Sequence, residues 1–380
     1  MEKDDWSFND AGLAAIDNEL QNAAKIAVRE ALKVKAGEQV LIISNPRHDA
    51  AIISMALYDA AQDVGGRPLL VFQPHKNQID FAEEGVIAAF GALPEVVISI
   101  SSGKLGKDKK GIAEPYKYDG KNYDHIFHLM QYGEKSCRAF WSPSVTLESF
   151  TRTVPVDYQT LKRRCAWIGA ILDEAAAVRV KAPGGTDIVM GLAGRNAKYD
   201  DGDFSAAGSG GNLPAGETFI SPENGTSRGI IVFDGSISLN DRDILIKSPI
   251  KCVVEEGFVR EISGGREAYE LRQTVMLAEQ NACQFEKEGK ILAGLGAVYA
   301  KNASNIGELG IGINPAARIS GNMLEDEKAF HTCHFAIGQN YDDDAPALIH
   351  LDGLVKNPTI IAIMPDGGER IIERDGILAE

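Results

Sequence analysis

The sequence predicts an α/β protein. A Rossmann-like parallel-sheet N-terminal domain leads into a β-rich α+β C-terminal domain. Two observations predict this. In the first third of the chain, short uninterrupted apolar runs alternate with segments of helical periodicity, the pattern of a parallel sheet flanked by helices. Beyond residue 217, short strand-like runs follow one another with turn residues between them, interrupted by one long amphipathic helix.

The elements follow in order. Residues 13–34 carry Ile16, Leu20, Ala24, Ala27, Ala31 and Leu32 at helical spacing, with Gly37 as a stop. Val40, Leu41, Ile42 and Ile43 make a buried strand at 39–44. A helix is expected at 49–63, ended by Gly65-Gly66, then a strand at 68–72, a helix at 81–90 and a third strand at 96–100. Residues 125–129 read as a fourth strand, and the Lys-, Gly- and Asp-rich stretch 101–120 as an exposed loop or flap. A helix capped by Asp157 should span 157–177. The pattern changes near residue 155, so the domains are placed at 1–155 and 156–380. A turn at 183–187 opens a strand through Leu192, and 198–211 should be a mobile surface loop. Short strands are expected at 229–233, 237–239, 244–247, 250–254 and 258–262, then the long helix 266–288. The tail reads as a hairpin, 359–364 and 371–372, turning on Pro365-Asp366-Gly367-Gly368.

Composition excludes several function classes. A formal net charge of −15 over 380 residues argues against nucleic acid and anionic membrane as partners. The first turn after a strand, Ser44-Asn45-Pro46-Arg47-His48-Asp49, lacks the glycine fingerprint of a dinucleotide site, and no phosphate-binding loop occurs elsewhere. The five cysteines, Cys137, Cys165, Cys252, Cys283 and Cys333, form no Cys-x-x-Cys pair and fit reduced thiols, with Cys333 a core thiol. Residues 1–10 have neither a basic nor an apolar signal region, and no run approaches a membrane span, so a cytoplasmic protein is expected.

Four acidic or imidazole side chains between 305 and 352 stand alone among apolar or small neighbours: Glu308, His334, His350 and Asp352. A charge embedded in apolar sequence must be buried with a partner. His350 and Asp352 are two apart, and on a strand they leave the same face. Glu308 lies among alternating glycines, which permit close approach of backbone and ligand. Glu217, in Asn212-Leu213-Pro214-Ala215-Gly216-Glu217, is a further lone acid. Two Glu, two His and one Asp make a mixed N/O donor set suited to Zn, Mn, Co or Fe(II). The C-terminal domain is therefore expected to bind metal. Taken singly, each residue also has a bland reading, as a core histidine or a turn acid.

At these residues the chain resembles the M29 family of metallo-aminopeptidases, the thermophilic aminopeptidase or aminopeptidase T family. The matching pieces are Gly185-Thr186-Asp187, the Glu217 motif, Glu308-Leu309-Gly310-Ile311-Gly312-Ile313-Asn314-Pro315, His334-Phe335-Ala336-Ile337-Gly338 with Tyr341 after it, and His350-Leu351-Asp352. The resemblance implies two divalent metal ions (Zn, Co or Mn) held by Glu217, Glu308, His334, His350 and Asp352. It implies hydrolysis of the N-terminal peptide bond of short peptides or amino-acid amides by a metal-activated water. Glu308 would bridge the ions, Glu217 and Asp352 would complete one shell, and His334 and His350 the other. Tyr341 would donate a hydrogen bond to the tetrahedral oxyanion. It also implies a homodimer enclosing the active site. Two departures stand out: the segment between His334 and His350 is shorter than the family's loop, and His331 stands where the family has Gly. The alternative is the ring-opening dihydroxypyridine dioxygenase branch of the same fold, which holds one Fe(II) with two His and one Asp. There the position of Glu308 is a His and that of Glu217 is not acidic, so the two glutamates favour hydrolysis.

Overall fold

The computed structural model describes residues 18–77, 80–239, 242–288, 290–291 and 294–380. The acidic stretch 1–10 and the expected start of the first helix lie outside the described residues. The chain divides into two compact units, one of Met1–Lys162 with Asp200–Ala215 and one of Arg163–Tyr199 with Gly216–Glu380.

The first unit is built on a five-stranded sheet ordered Gly210–Asn212, Arg138–Pro143, Val96–Ser101, Gln39–Ser44 and Arg67–Phe72, with every neighbouring pair parallel. The strand Val96–Ser101 is buried along its whole length, which is why it reads as a near-continuous apolar run. Helices His48–Asp63 and Glu84–Phe90 supply apolar faces, and Phe90, Phe127, Leu41, Ile43 and Val97 share one core cluster.

Two expectations fail in this unit. Residues 125–129 are not a strand: Ile126–His128 is a helical turn that continues into Leu129–Gly133. His125 caps it, its Nδ1 accepting from the Phe127 amide at 3.0 Å. A short apolar run without alternation cannot distinguish the two states. The fourth parallel strand is Arg138–Pro143, hidden in the sequence by its leading charge. Arg138 is nevertheless buried, with its guanidinium on Glu38 at 2.6 and 3.0 Å and on the Leu32 carbonyl at 2.7 Å. The second failure concerns 198–211. Its end, Gly210–Asn212, is the fifth strand, and a Cβ at Gly210 would strike the Gln131 side chain. Glycines chosen for close packing look like turn residues in the sequence. Part of 101–120 is also structured: Asp108 caps helix Lys109–Ala113, and a hairpin joins Tyr116–Tyr118 to Lys121–Tyr123.

The second unit contains two sheets. One has eight strands, ordered Phe258–Ser263, Ile250–Glu255, Arg228–Phe233, Asp187–Gly191, Ala177–Lys181, Thr359–Ile363, Glu369–Arg374 and Ile377–Leu378. The expected tail hairpin is its edge, and Gly367 takes φ +84° in the turn. Helix Arg266–Lys287, whose buried residues include Leu271 and Val275, packs on the Phe258–Ser263 strand. The other sheet has seven strands, ordered Asp243–Leu245, Ser236–Ser238, His350–Lys356, Thr332–Gly338, Ile306–Gly312, Glu217–Ile220 and Lys198–Asp200. Every residue of Ile306–Gly312 and Thr332–Gly338 is buried. Polar side chains on these two strands therefore need partners. Cys333 is one of the buried residues, and burial pushes its thiol well up. No helix among the described residues is long and apolar enough to cross a membrane.

Candidate metal centre

The antiparallel register of the seven-stranded sheet collects the sequence-predicted donors on one face. Glu217 pairs with Gly312, His334 with Gly310, Glu308 with Ala336, Ala336 with Asp352, and His350 with Gly338. Directly paired residues point to the same side of a sheet. Each donor is thus set opposite a Gly or Ala, and the missing side chains leave a recess. A Cβ added at Gly310 would overlap the His334 imidazole. The register shifts between Ile306 and Glu308, where Gly307 is the extra residue of a bulge. A bulge re-aims the side chain that follows it.

All five expected donors converge. His334 Nε2 lies 3.1 Å from Glu308 Oε1 and 3.4 Å from Glu217 Oε2. His350 Nε2 lies 3.4 Å from Glu308 Oε2 and 3.3 Å from Asp352 Oδ1. Glu308 therefore offers one oxygen to each imidazole. His350 Nδ1 donates to the Gln339 carbonyl at 2.8 Å, which fixes the tautomer and leaves Nε2 facing the carboxylates. Tyr341 packs its ring 4.9 Å from that of His350 and 5.3 Å from Phe219. The loop after Tyr341 is tied down by Arg195 on Asp342 and Asp344 and by Lys198 on Asp342. His331 is not part of the cluster: it takes φ +70°, stacks edge-on against Phe330 and bonds the Gly376 carbonyl through Nδ1.

Two participants were not foreseen. Glu327 and Lys328 follow helix Met323–Asp326, and their backbone passes over Gly312, where a Cβ would meet it. Lys328 is fully buried, with Nζ 2.5 Å from Glu217 Oε1 and 2.7 Å from Glu327 Oε1. In the sequence they sit in Glu325-Asp326-Glu327-Lys328, which looks like a solvated charge run. The only signal was that this run lies between the apolar pairs Met323-Leu324 and Ala329-Phe330.

The donor atoms fall into two groups, Glu217–Glu327–His334 and Glu308–His350–Asp352, each compact enough to surround one ion. This differs from the expected division: His334 stands with Glu217, and His350 with Asp352. Glu217 Oε2, Glu308 Oε2, Asp352 Oδ1 and His334 Nδ1 are buried without a hydrogen-bond partner among the described residues. Four carboxylates against one lysine leave the recess strongly negative. Protons partly compensate. Burial disfavours the imidazolium of His350, but Asp352, Glu308 and the Gln339 carbonyl outweigh it and push the group up to about 10. His334 is likewise raised, to about 9, against its burial, by Glu308, Glu217 and Asp352. Burial raises Glu308, opposed by the two imidazoles. Burial, with Glu217 and Asp352, lifts Glu327 to about 8 against the pull of Lys328. Asp352 is held down to about 2, because His350 and His334 overcome its burial. Divalent cations satisfy such a donor set in place of protons.

A mixed α/β fold with a metal-compatible recess on an antiparallel sheet defines the class. The chain belongs to the family described as NicX: 2,5-dihydroxypyridine 5,6-dioxygenase, whose model matches residues 144–337. No curated protein sequence matches it. Among solved structures, it is similar to 2,5-dihydroxypyridine dioxygenase from Pseudomonas putida KT2440, with TM-score 0.68 and 17% identity, covering 95% of this chain and 96% of that one. It is also similar to AmpT from Thermus thermophilus, with TM-score 0.66 and 16% identity, covering 96% of this chain and 100% of that one. At these identities the likeness is one of fold. The chain thus shares its fold with both, while the family model that matches is that of the dioxygenase.

Proposed function

We propose that the chain is a metal-dependent enzyme that hydrolyses the amide bond next to a free amino terminus, in short peptides or amino-acid amides. The observation that carries this reading is the position of Glu308 between the two donor groups, one oxygen toward His334 and the other toward His350. A shared carboxylate flanked by two ligand groups is the arrangement a two-ion centre requires. When bound, such ions supply Lewis acidity and lower the pKa of a coordinated water. The residues of the chain do the rest. Glu217, Glu327 and His334 would hold one ion, and His350 and Asp352 the other, with Glu308 common to both. His350 is kept oriented by Gln339. Tyr341, whose ring packs beside His350, would donate a hydrogen bond to an oxygen that gains negative charge. AmpT, a structural neighbour assigned to the M29 aminopeptidases, supports this reading at the level of fold.

The second reading is a mononuclear Fe(II) ring-opening dioxygenase of the dihydroxypyridine type. The family match favours it, and the comparisons as a whole lean toward it more than toward the peptidase. Its three-ligand site would be Glu308–His350–Asp352. Against it stands the carboxylate of Glu308 where that branch places an imidazole, a harder donor set than two His and one Asp. The deciding experiment loads the metal-free chain separately with Zn, Co, Mn and, anaerobically, Fe(II). Release of leucine from leucine amide with Zn, Co or Mn supports hydrolysis. Oxygen uptake with 2,5-dihydroxypyridine, confined to the iron form, would replace it with the second reading.

A further inference from the structure

The recess contains a cation of its own. Lys328 has no exposed side-chain surface, and its Nζ touches one oxygen each of Glu217 and Glu327. Its backbone is anchored as well, the Lys328 carbonyl accepting from the Asn314 amide at 2.9 Å. The ammonium is thus held inside the recess by two carboxylates on a fixed stretch of backbone. These two carboxylates belong to the Glu217–Glu327–His334 group. Glu308 and Asp352 instead have imidazoles as their ion-pair partners. An ammonium buried in contact with both carboxylates is a competing positive charge beside their donor position.

We propose that Lys328 is a resident cation that half-neutralises the Glu217–Glu327–His334 position, so that the centre fills in a set order: Glu308–His350–Asp352 first and tightly, Glu217–Glu327–His334 second and weakly. This rests on the metal-centre reading above and holds for either chemistry proposed there. The reasoning is Coulombic. Ionised, the two carboxylates would carry two negative charges; Lys328 in contact cancels one of them, and two of their four oxygens are already engaged. Repulsion between a divalent ion and a nearby ammonium in a dry recess is poorly screened. At limiting metal the chain then holds a single ion, and Lys328 provides the second positive centre, 2.5 Å from Glu217 Oε1.

The test titrates the metal-free full chain with Co(II), following visible absorption and bound metal per chain. The wild type should fill in two steps whose dissociation constants differ by about tenfold or more. Asp352→Asn should remove the tight step, and Glu327→Gln the weak one. Lys328→Met should tighten the weak step by about tenfold or more, while Lys328→Arg, which keeps the charge, should not. Equal affinities in the wild type, or an unchanged or weakened second step in Lys328→Met, would overturn the proposal. If Lys328→Met does not fold, the order of loss in Asp352→Asn and Glu327→Gln decides it. A wild-type chain that binds no cobalt removes the metal-centre reading itself, and this proposal with it.

Discussion

Gly310 lies directly across the strand pair from His334, and the space a methyl group would take at residue 310 is filled by the imidazole ring. The pairing is a steric requirement of the site. Gly310→Ala should push the ring away from Glu308 and Glu217. We expect bound metal at a fixed free concentration to fall by about tenfold or more, with a cost of about 1–3 kcal/mol in stability from overpacking. Metal analysis and chemical denaturation check the two effects separately. Retention of full metal content would show that the ring tolerates displacement.

Glu308→Gln keeps the shape of the side chain and removes the charge shared between the two donor groups. Turnover should drop by at least about a thousandfold, while the metal-free chain still folds. An active Gln variant would remove Glu308 from the mechanism.

Metal binding should be visible as stability. Only the folded chain presents the assembled donors, so saturating ion at about 100 times its dissociation constant should add about 2.7 kcal/mol. A chelator should reverse the shift, and Asp352→Asn should reduce it to what the Glu217–Glu327–His334 group alone supplies. Equal melting temperatures with and without chelator would contradict ion binding at this recess.

Glu373 carries a prediction about pH. It is fully buried, and neither carboxylate oxygen has a hydrogen-bond partner among the described residues. Burial pushes it from 4.5 to about 8. The folded state then holds a proton that the unfolded state releases. No penalty exists below about pH 4.5, and it grows as pH rises toward 8. Glu373→Gln should therefore be stabilising by up to a few kcal/mol at pH 8 and nearly neutral at pH 4.5. Urea denaturation at the two pH values measures this, and a pH-independent difference would show the carboxyl has another partner.

Tyr341→Phe should lower kcat by about tenfold to a hundredfold with little change in KM, if the hydroxyl meets charge formed only during reaction. A change in KM alone would make Tyr341 a wall of the substrate site.

Much of the architecture was legible because burial writes itself into composition. Val40 to Ile43 and Val96 to Ile100 read as parallel strands since both faces are covered. His350 and Asp352 could be aimed at one point from their spacing alone. What could not be read depended on partners distant in the chain. Arg138 begins a buried strand because Glu38 receives it. Gly210–Asn212 joins a sheet through close packing that looks like turn composition. Lys328 is buried because Glu217, more than a hundred residues away, meets it. The grouping of donor atoms differs from the expected division for a similar reason: it follows from strand register, with Glu217 on one flank of the sheet and His350 on the other.

The small residues opposite each donor have one further consequence. The recess is hollowed out of the sheet by what is missing, and its floor is backbone held by ladder hydrogen bonds. Exchanging one donor for another leaves that floor intact, so a single substitution at position 308 is enough to trade an oxygen ligand for a nitrogen one. A frame of this kind can change its donor atoms without being rebuilt.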